Sequence, residues 1–191
     1  MRNVVKRIGL FGAFGFNRGD DALALSLIEG FRHRRRNIEF IVPVLKPGAF
    51  GGLSNVQTFL LDRGSLHGAL RLIKAIAAAD AVILGAGSII QDKLGGGYFR
   101  GTLGYSCTVA TLCRILRKPS VTGPIGVDAL SSKRNEIIAR WILSQPQRVF
   151  VRDNLSAMIA NAFLNVGARR RVTVMCDPVF GWDMDSRSRL S

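Results

Sequence analysis

The sequence predicts an α/β fold in which a parallel sheet is covered by helices on both faces. Three observations predict it. Short segments rich in Val, Ile, Leu and Phe recur along the chain, longer segments with helical periodicity lie between many of them, and Gly, Pro or charged residues bound the short segments. Strands that alternate with helices form βαβ units, which build parallel sheets. The 191 residues suit one domain of ordinary size.

Seven apolar segments have the length of a strand and end at Gly, Pro or charged residues. They are Val4–Phe11, Ile38–Val44, Val56–Leu60, Ala81–Leu84, Ser120–Gly123, Arg148–Val151 and Val172–Met175.

Five longer segments have the periodicity of amphipathic helices. They are Asp20–Arg34, Leu66–Ala79, Thr102–Arg117, Ser131–Leu143 and Asn154–Asn165. Gly19 or Asp20 is predicted to cap the first helix, and Asp153 the last. The glycine-rich pieces Gly48–Gly52 and Gly95–Gly97 are predicted to be loops.

The composition excludes several classes of protein. Hydrophobic residues make up 48% of the chain, which is enough to bury a core and argues against general disorder. The three cysteines form no CxxC pair, and neither they nor the two histidines have metal-ligand spacing. No apolar run approaches the roughly 20 residues that span a bilayer. We expect a soluble cytoplasmic protein without a metal site.

The positive charge is high and uneven. Lys plus Arg number 27 against 13 Asp plus Glu, which gives a formal net charge of +14. Two blocks stand out, one from Arg32 to Arg36 and the other at Arg169–Arg171. Such blocks attract phosphate groups of nucleic acid, anionic lipid or substrate, or they simply form a solvated surface. No nucleic-acid-binding motif accompanies them, so nucleic acid is a minor hypothesis, and peripheral contact with an anionic membrane at its inner face is a prediction.

Ligands of open α/β sheets bind at the carboxyl ends of the strands, so the loops there are candidate sites. The first predicted strand is followed by a loop that contains Gly15, Asn17, Gly19 and Asp20. Asn17 either supports a left-handed turn or contacts a ligand hydroxyl, and Asp20 is either a helix cap or a ligand contact. The dinucleotide fingerprint GxGxxG and a Walker lysine are both absent.

A second candidate loop follows the predicted strand that ends at Leu84. Gly85, Gly87 and Ser88 in this loop are predicted to form a nest for an anion or a sugar hydroxyl, unless Ser88 caps a helix. A Ser-His-Asp triad has little support, because the G-x-S-x-G elbow is not matched and only His33 and His67 are present.

Two further segments follow later strands. The turn Gly123–Asp128 is either a plain turn or a wall of the same crevice. Arg152 is either a bidentate clamp for a carboxylate or phosphate, or an ion-pair partner of Asp153. Asp177 ends the last predicted strand, and Pro178 forces the chain out of regular structure.

Five motifs then stand in one order along the chain. They are Gly12-x-x-Gly15-x-Asn17-x-Gly19-Asp20-Asp21-Ala22, then Ala79-Asp80-x-Val82-Ile83-x-Gly85-x-Gly87-Ser88-x-x-Gln91-Asp92, then Lys118-Pro119 with Gly123-Pro124-Ile125-Gly126, then Val151-Arg152-Asp153-x-x-Ser156, and Asp177-Pro178-x-Phe180. Together they resemble the polysaccharide pyruvyl transferase family, over almost the whole chain to about Trp182. The departures are mild: Ala86 stands where the family often has a glycine, and Asp21 where Glu is common.

The resemblance implies a fold and a reaction. The family resembles GT-B type enzymes, in which a ligand cleft lies between two Rossmann-like domains, and this chain resembles the N-terminal domain alone. We expect that domain over residues 1–182 and a polar tail or linker over 183–191. The implied reaction moves a pyruvyl group from phosphoenolpyruvate to a sugar of a cell-surface glycan, with no cofactor. The implied partners are a glycan or lipid-linked sugar acceptor and a second domain or partner chain.

The resemblance also limits what can be assigned. The family's His and Arg for phosphoenolpyruvate belong to the second domain, so the catalytic residues stay unassigned. The expected substrate-binding residues are Gly15, Asn17, Gly19, Asp20, Gly87, Ser88, Gln91, Gly123 and Arg152. The alternatives are one half of a GT-B-like glycosyltransferase and a non-catalytic interaction module.

Overall fold

A computed structural model describes residues 6–35, 37–62, 64–92, 101–165, 167 and 171–176. Its strands are β1 (Arg7–Phe11), β2 (Glu39–Val44), β3 (Val56–Leu60), β4 (Ala81–Leu84), β5 (Gly87–Ile90), β6 (Ser120–Thr122), β7 (Ile125–Val127), β8 (Val149–Val151) and β9 (Val172–Val174). Its helices are α1 (Arg18–Arg34), α2 (Leu66–Ala78), α3 (Gly101–Ile115), α4 (Lys133–Ser144) and α5 (Asn154–Phe163). The predicted α/β fold is confirmed. The expected boundary after residue 182, and the predictions for Gly95–Gly97, Arg169–Arg170 and Asp177–Phe180, lie outside the described residues.

The strands form two sheets, and every described strand pair is parallel. The first has the order β3-β2-β1-β4-β6, and the second has the order β5-β7-β8-β9. Ile8 pairs with Phe40 on one side and with Ala81 on the other, so β1 is central in the first sheet. The carboxyl ends of the strands therefore meet along common edges, as the location of the candidate loops requires.

Two strands that the sequence analysis left as loops, β5 and β7, correct the predicted single sheet. Each continues the direction of the chain after a short break, at Gly85–Ala86 after β4 and at Gly123–Pro124 after β6. Gly85 and Gly87 have φ values of +85° and +84°, a left-handed backbone that side chains with a β-carbon rarely adopt. The turn therefore bends a strand that would otherwise have continued, and the bent part pairs in the second sheet.

The two sheets stay connected through Thr122 at the end of β6. The hydroxyl of Thr122 accepts a hydrogen bond from the Phe150 N–H at 2.7 Å and donates one to the Phe150 carbonyl at 3.0 Å. The side chain thus replaces a backbone pair where β6 and β8 diverge. Because the Thr122 side chain is buried and Phe150 is partly buried, these bonds are partly shielded from water.

Helices cover both faces of the sheets. Leu23, Ala24 and Ile28 of α1 pack with strand residues such as Leu10 and Phe40 in one apolar cluster. Residues from all four other helices share a second cluster, which includes Ile76, Val109, Ile142 and Phe163. Among the described helices, α1 therefore lies against one face, and α2, α3, α4 and α5 form a layer against the other.

The ends of the helices show which capping predictions hold. Asp153 caps α5 as predicted, since its carboxylate accepts a hydrogen bond from the Ser156 N–H at 2.6 Å. The predicted cap of α1 is wrong: the cap is Asn17, whose Oδ1 accepts from the Gly19 N–H at 3.0 Å. The helix begins two residues earlier than its apolar periodicity suggested, because Asn17 already supplies the oxygen that Asp20 was expected to supply.

Cys107, Cys113 and Cys176 are free. Burial raises the pKa of the Cys113 thiol to about 11, so this thiol is a poor nucleophile near neutral pH. Within the described ranges, no helix is long and apolar enough to cross a bilayer.

Candidate functional site

A pocket of ≈ 1060 Å³ lies at the carboxyl ends of the strands. Its walls come from the loop after β1, the start of α1, the β4–β5 segment, the first turn of α3 and the end of β8. The lining residues are Ala13, Phe16, Asn17, Arg18, Gly19, Asp20, Leu23, Ala86, Gly87, Ser88, Ile89, Gln91, Thr102 and Arg152. Seven of the nine expected binding residues, all except Gly15 and Gly123, are therefore brought together in one open pocket.

Asn17 organises the β1 side of the pocket. Its side-chain oxygen caps α1, and its amide nitrogen donates to the Asp20 carboxylate at 3.4 Å. Gly15, which does not line the pocket, has a φ of +80° and donates its N–H to Asp21 at 2.6 Å. Since Asn17 and Asp21 hold the loop, Asp20 is spared from capping and its carboxylate is available to the pocket.

Asp20 is a half-buried carboxylate with few compensating partners. Its Oδ1 lies so close to the Gly87 α-carbon that a β-carbon there would overlap it. Burial, followed by repulsion from Asp21, raises the pKa of Asp20, while the Asn17 hydrogen bond and the charge of Arg152 act in the opposite direction. Asp20 therefore holds its proton more tightly than an ordinary aspartate, as suits a group that exchanges hydrogen bonds with hydroxyls.

Ser88 belongs to β5 and does not cap a helix, so that alternative is wrong. Its Oγ lies 2.6 Å from the place where a β-carbon of residue 126 would stand, which puts the hydroxyl over Gly126. Gln91 donates from Nε2 to the Ser88 carbonyl at 2.7 Å, which holds the Gln91 amide beside this strand. Ser88 and Gln91 thus add a hydroxyl and an amide to the pocket wall opposite α1.

Arg152 combines the two roles that the sequence left open. Its Nε lies 3.4 Å from the Asp153 carboxylate, and its guanidinium lies over Gly126 in the pocket wall. Its side chain is about a third exposed, so the ion pair alone adds little stability. The same guanidinium has further N–H groups that can donate to a carboxylate or phosphate in the pocket.

Other predicted residues have structural roles outside the pocket lining. Gly123 lies in the break between β6 and β7, where its N–H donates to the Leu84 carbonyl at 3.0 Å. Asp92 accepts hydrogen bonds from the Ser131 hydroxyl and N–H at 2.6 and 2.7 Å, and from Asn135 at 3.1 Å. These bonds, that of the Ser131 hydroxyl first, lower the pKa of Asp92 to about 2. Asp92 thus ties the end of β5 to the start of α4.

Sequence reasoning missed Phe16 and Thr102. Phe16 is 75% exposed at the pocket rim, and the Lys46 ammonium lies 5.4 Å from the centre of its ring. The buried Thr102 hydroxyl has no hydrogen-bond partner within the part of the chain that the structure describes. Phe16 could have been found as a large apolar side chain in a loop of Gly, Asn and Arg. Thr102 could not, because only the fold brings α3 to the pocket.

The described residues contain no cluster of three His, Cys, Asp or Glu side chains that could hold a metal ion. Neither His33 in the last turn of α1 nor His67 in the first turn of α2 lines the pocket. A serine–histidine pair at Ser88 is therefore not formed.

These features define a Rossmann-like α/β domain with an open pocket, lined by both apolar and polar side chains, at the carboxyl ends of its strands. A model of the polysaccharide pyruvyl transferase family matches residues 17–190, and the chain belongs to that family. Among curated proteins, none matches this sequence.

Solved structures confirm the fold class. The UDP-N-acetylglucosamine 2-epimerase from Rickettsia bellii superposes with a TM-score of 0.57 at 11% identity, over 93% of this chain and 46% of that one. The UDP-GlcNAc 2-epimerase from Methanocaldococcus jannaschii superposes with a TM-score of 0.55 at 10% identity, over 96% of this chain and 52% of that one. The chain thus spans about half the length of these structures.

Proposed function

We propose that this chain is the acceptor-binding half of a pyruvyl transferase that acts on a sugar of a cell-surface glycan. The observation that supports the proposal most directly is the pocket, because its polar lining comes from the same loops that carry the family's motifs. Its volume of ≈ 1060 Å³ is slightly above the usual range for ligand pockets and suits a sugar unit with part of its neighbour.

The reaction joins one phosphoenolpyruvate to two hydroxyls of a sugar. One hydroxyl oxygen bonds to C2 of phosphoenolpyruvate as C3 takes up a proton and becomes a methyl group. The second hydroxyl oxygen then bonds to C2 as the C2–O bond to phosphate breaks. The two hydroxyl protons balance the proton gained at C3 and the one taken up by the phosphate or solvent. The products are a pyruvate ketal and inorganic phosphate.

The polar groups of the pocket suit the hydroxyls of the acceptor. Asp20, with its raised pKa, accepts hydrogen bonds from hydroxyls, and Asn17, Ser88 and Gln91 offer both donors and acceptors. The exposed ring of Phe16 offers a flat apolar surface to the C–H face of a sugar ring.

Arg152 supplies the positive charge that the second substrate, phosphoenolpyruvate, needs. Phosphoenolpyruvate carries a carboxylate and a phosphate, and a guanidinium binds either one through two parallel hydrogen bonds. We assign the remaining contacts with this substrate to a second domain, since the chain spans about half the length of the structures that it matches.

The test is phosphoenolpyruvate-dependent transfer by this chain together with its second half, measured as released phosphate and as pyruvylated sugar by mass spectrometry. Arg152→Gln should lower kcat/KM at least on the order of tenfold, as expected for loss of a charge-assisted pair. Arg148→Gln is the matched control, because Arg148 is exposed and precedes the same strand that Arg152 follows. It should leave kcat/KM unchanged.

Two results would contradict the proposal. Equal effects of the two substitutions on kcat/KM would show that Arg152 does not belong to the site. Transfer of a sugar from a nucleotide sugar, with no dependence on phosphoenolpyruvate, would favour the glycosyltransferase alternative.

A further inference from the structure

Helix α2 is apolar on two opposite faces. One face is buried against the sheet and contains Leu72, Ala75 and Ile76. The other contains Leu66, Leu70 and Ile73, which are 78%, 47% and 38% exposed. We call these three residues the α2 stripe. Their spacing of four and three residues lines them up along the helix, on the side away from the core.

Such a stripe is unusual on a helix at the surface of a domain. Helices that cover a sheet normally present polar side chains outward, and a helix that is apolar all round is normally covered. The α2 stripe therefore indicates that something covers this side of the domain.

The charges beside the stripe indicate what kind of surface covers it. Arg71 and Lys74 are exposed and follow the stripe along one flank, as does His67. The helix has no acidic residue, and the formal net charge of the whole chain is +14. The covering surface is therefore expected to combine an apolar interior with negative charge.

Helix α4, which α3 separates from α2 in the same layer, also has an exposed apolar pair. Ile137 and Trp141 of α4 are 68% and 40% exposed, one turn apart. Lys133 and Arg140, both exposed, lie beside them. Tryptophan and cations are the residues that collect at the interface between lipid and water.

Two protein partners fit less well. A second copy of the chain would bring two strongly positive molecules together, which self-repulsion opposes. A second domain that shares the pocket would lie over the carboxyl ends of the strands, whereas the α2 stripe points outward from the face of the sheet.

We propose that the α2 stripe docks this domain onto an anionic lipid surface. Leu66, Leu70 and Ile73 enter the boundary between headgroups and acyl chains, and Arg71 and Lys74 contact lipid phosphates. This surface differs from the first of the two basic blocks that the sequence suggested, the one from Arg32 to Arg36. Arg34 and Arg35 lie at the end of α1, which packs on the opposite face of the sheet.

The test is flotation of the 191-residue chain with vesicles of phosphatidylcholine alone or mixed with phosphatidylglycerol. The chain should bind the mixed vesicles and bind the neutral ones at least on the order of tenfold more weakly. Leu70→Gln/Ile73→Gln and Arg71→Gln/Lys74→Gln should each weaken binding to mixed vesicles on the order of tenfold. Because all four side chains are exposed, the variants should melt close to the parent temperature.

Two matched controls separate this surface from others. Arg34→Gln/Arg35→Gln removes the same charge from the opposite face, and Leu155→Gln/Met158→Gln removes an exposed apolar pair from α5. Both should bind as the parent does. If Arg34→Gln/Arg35→Gln weakened binding to mixed vesicles as much as Arg71→Gln/Lys74→Gln does, the proposal would be overturned. Binding would then follow net charge alone.

Self-association is the competing explanation. Sedimentation that shows a dimer abolished by Leu70→Gln/Ile73→Gln, with no binding to mixed vesicles, would assign the α2 stripe to a second copy. These tests need no transferase activity, so failure of the proposed reaction would not affect them.

Discussion

The guanidinium of Arg152 lies against the α-carbon of Gly126. A β-carbon at position 126 would stand 2.9 Å from Arg152 Cζ and Nη2, and 2.6 Å from Ser88 Oγ. Real β-carbons do not come so close to other atoms, so the absence of a side chain at 126 allows this arrangement. Gly126, the last residue of the motif Gly123-Pro124-Ile125-Gly126, thus contributes to the pocket by leaving room for Arg152.

Gly126→Ala should displace Arg152 while keeping the fold. The clashing atoms are the ends of two side chains, so they can move without disturbing the buried strand. We expect affinity for phosphoenolpyruvate, measured calorimetrically with the two halves assembled, to fall several-fold, because the guanidinium leaves its position. Gly30→Ala is the control, since a β-carbon there meets nothing within 4 Å. It should leave binding unchanged, and unaltered affinity in Gly126→Ala would contradict the assigned role of Arg152.

The ionised carboxylate of Asp20 should destabilise the folded protein at neutral pH. Its pKa is raised in the folded protein, chiefly by burial. The stabilising form is therefore the protonated one, whose contribution is present below the unfolded pKa of 3.8 and is lost as pH rises through the folded pKa. Asp20→Asn should then raise the melting temperature at pH 7, and this gain should shrink as pH falls to 4. The same variant should lower transfer activity. A melting temperature that falls at pH 7 would show that ionised Asp20 has favourable partners.

Thr122→Val should destabilise the junction of the two sheets. It removes the hydroxyl that bonds both the N–H and the carbonyl of Phe150, and leaves these partly buried groups without that partner. The expected cost in the free energy of unfolding is about 1–3 kcal/mol, measured by urea denaturation. Thr122→Ser retains the hydroxyl and should cost clearly less. Equal losses in the two variants would assign the effect to packing of the methyl group.

The sequence predicted the fold well where apolar periodicity and a polar cap agree. Asp153 was recognised as a cap because an apolar helix follows it directly, and Ser156 donates to it as expected. The cap of α1 was misplaced, because Asn17, Gly19 and Asp20 all have capping chemistry and only the backbone distinguishes them. The strands β5 and β7 were missed because each follows a glycine-rich break that is typical of a loop.

The candidate site was predicted for a different reason. Carboxyl ends of parallel strands share an edge, so the loops that contain Asp20, Ser88 and Arg152 could be placed together without coordinates. Which residues of each loop line the pocket could not be predicted in this way. Gly123 turned out to hold the break between two strands, and Phe16 reached the pocket rim through the turn at Gly15.

The wholly parallel pairing of the described strands has a consequence for how the chain folds. No pair can close through a tight hairpin, so each pairing first requires a long connection to be ordered. Strand β1 acquires its second neighbour only when Ala81–Leu84 is available, some seventy residues later in the chain. During synthesis the apolar edge of β1 therefore remains open for a long interval, when a holding chaperone would most reduce aggregation.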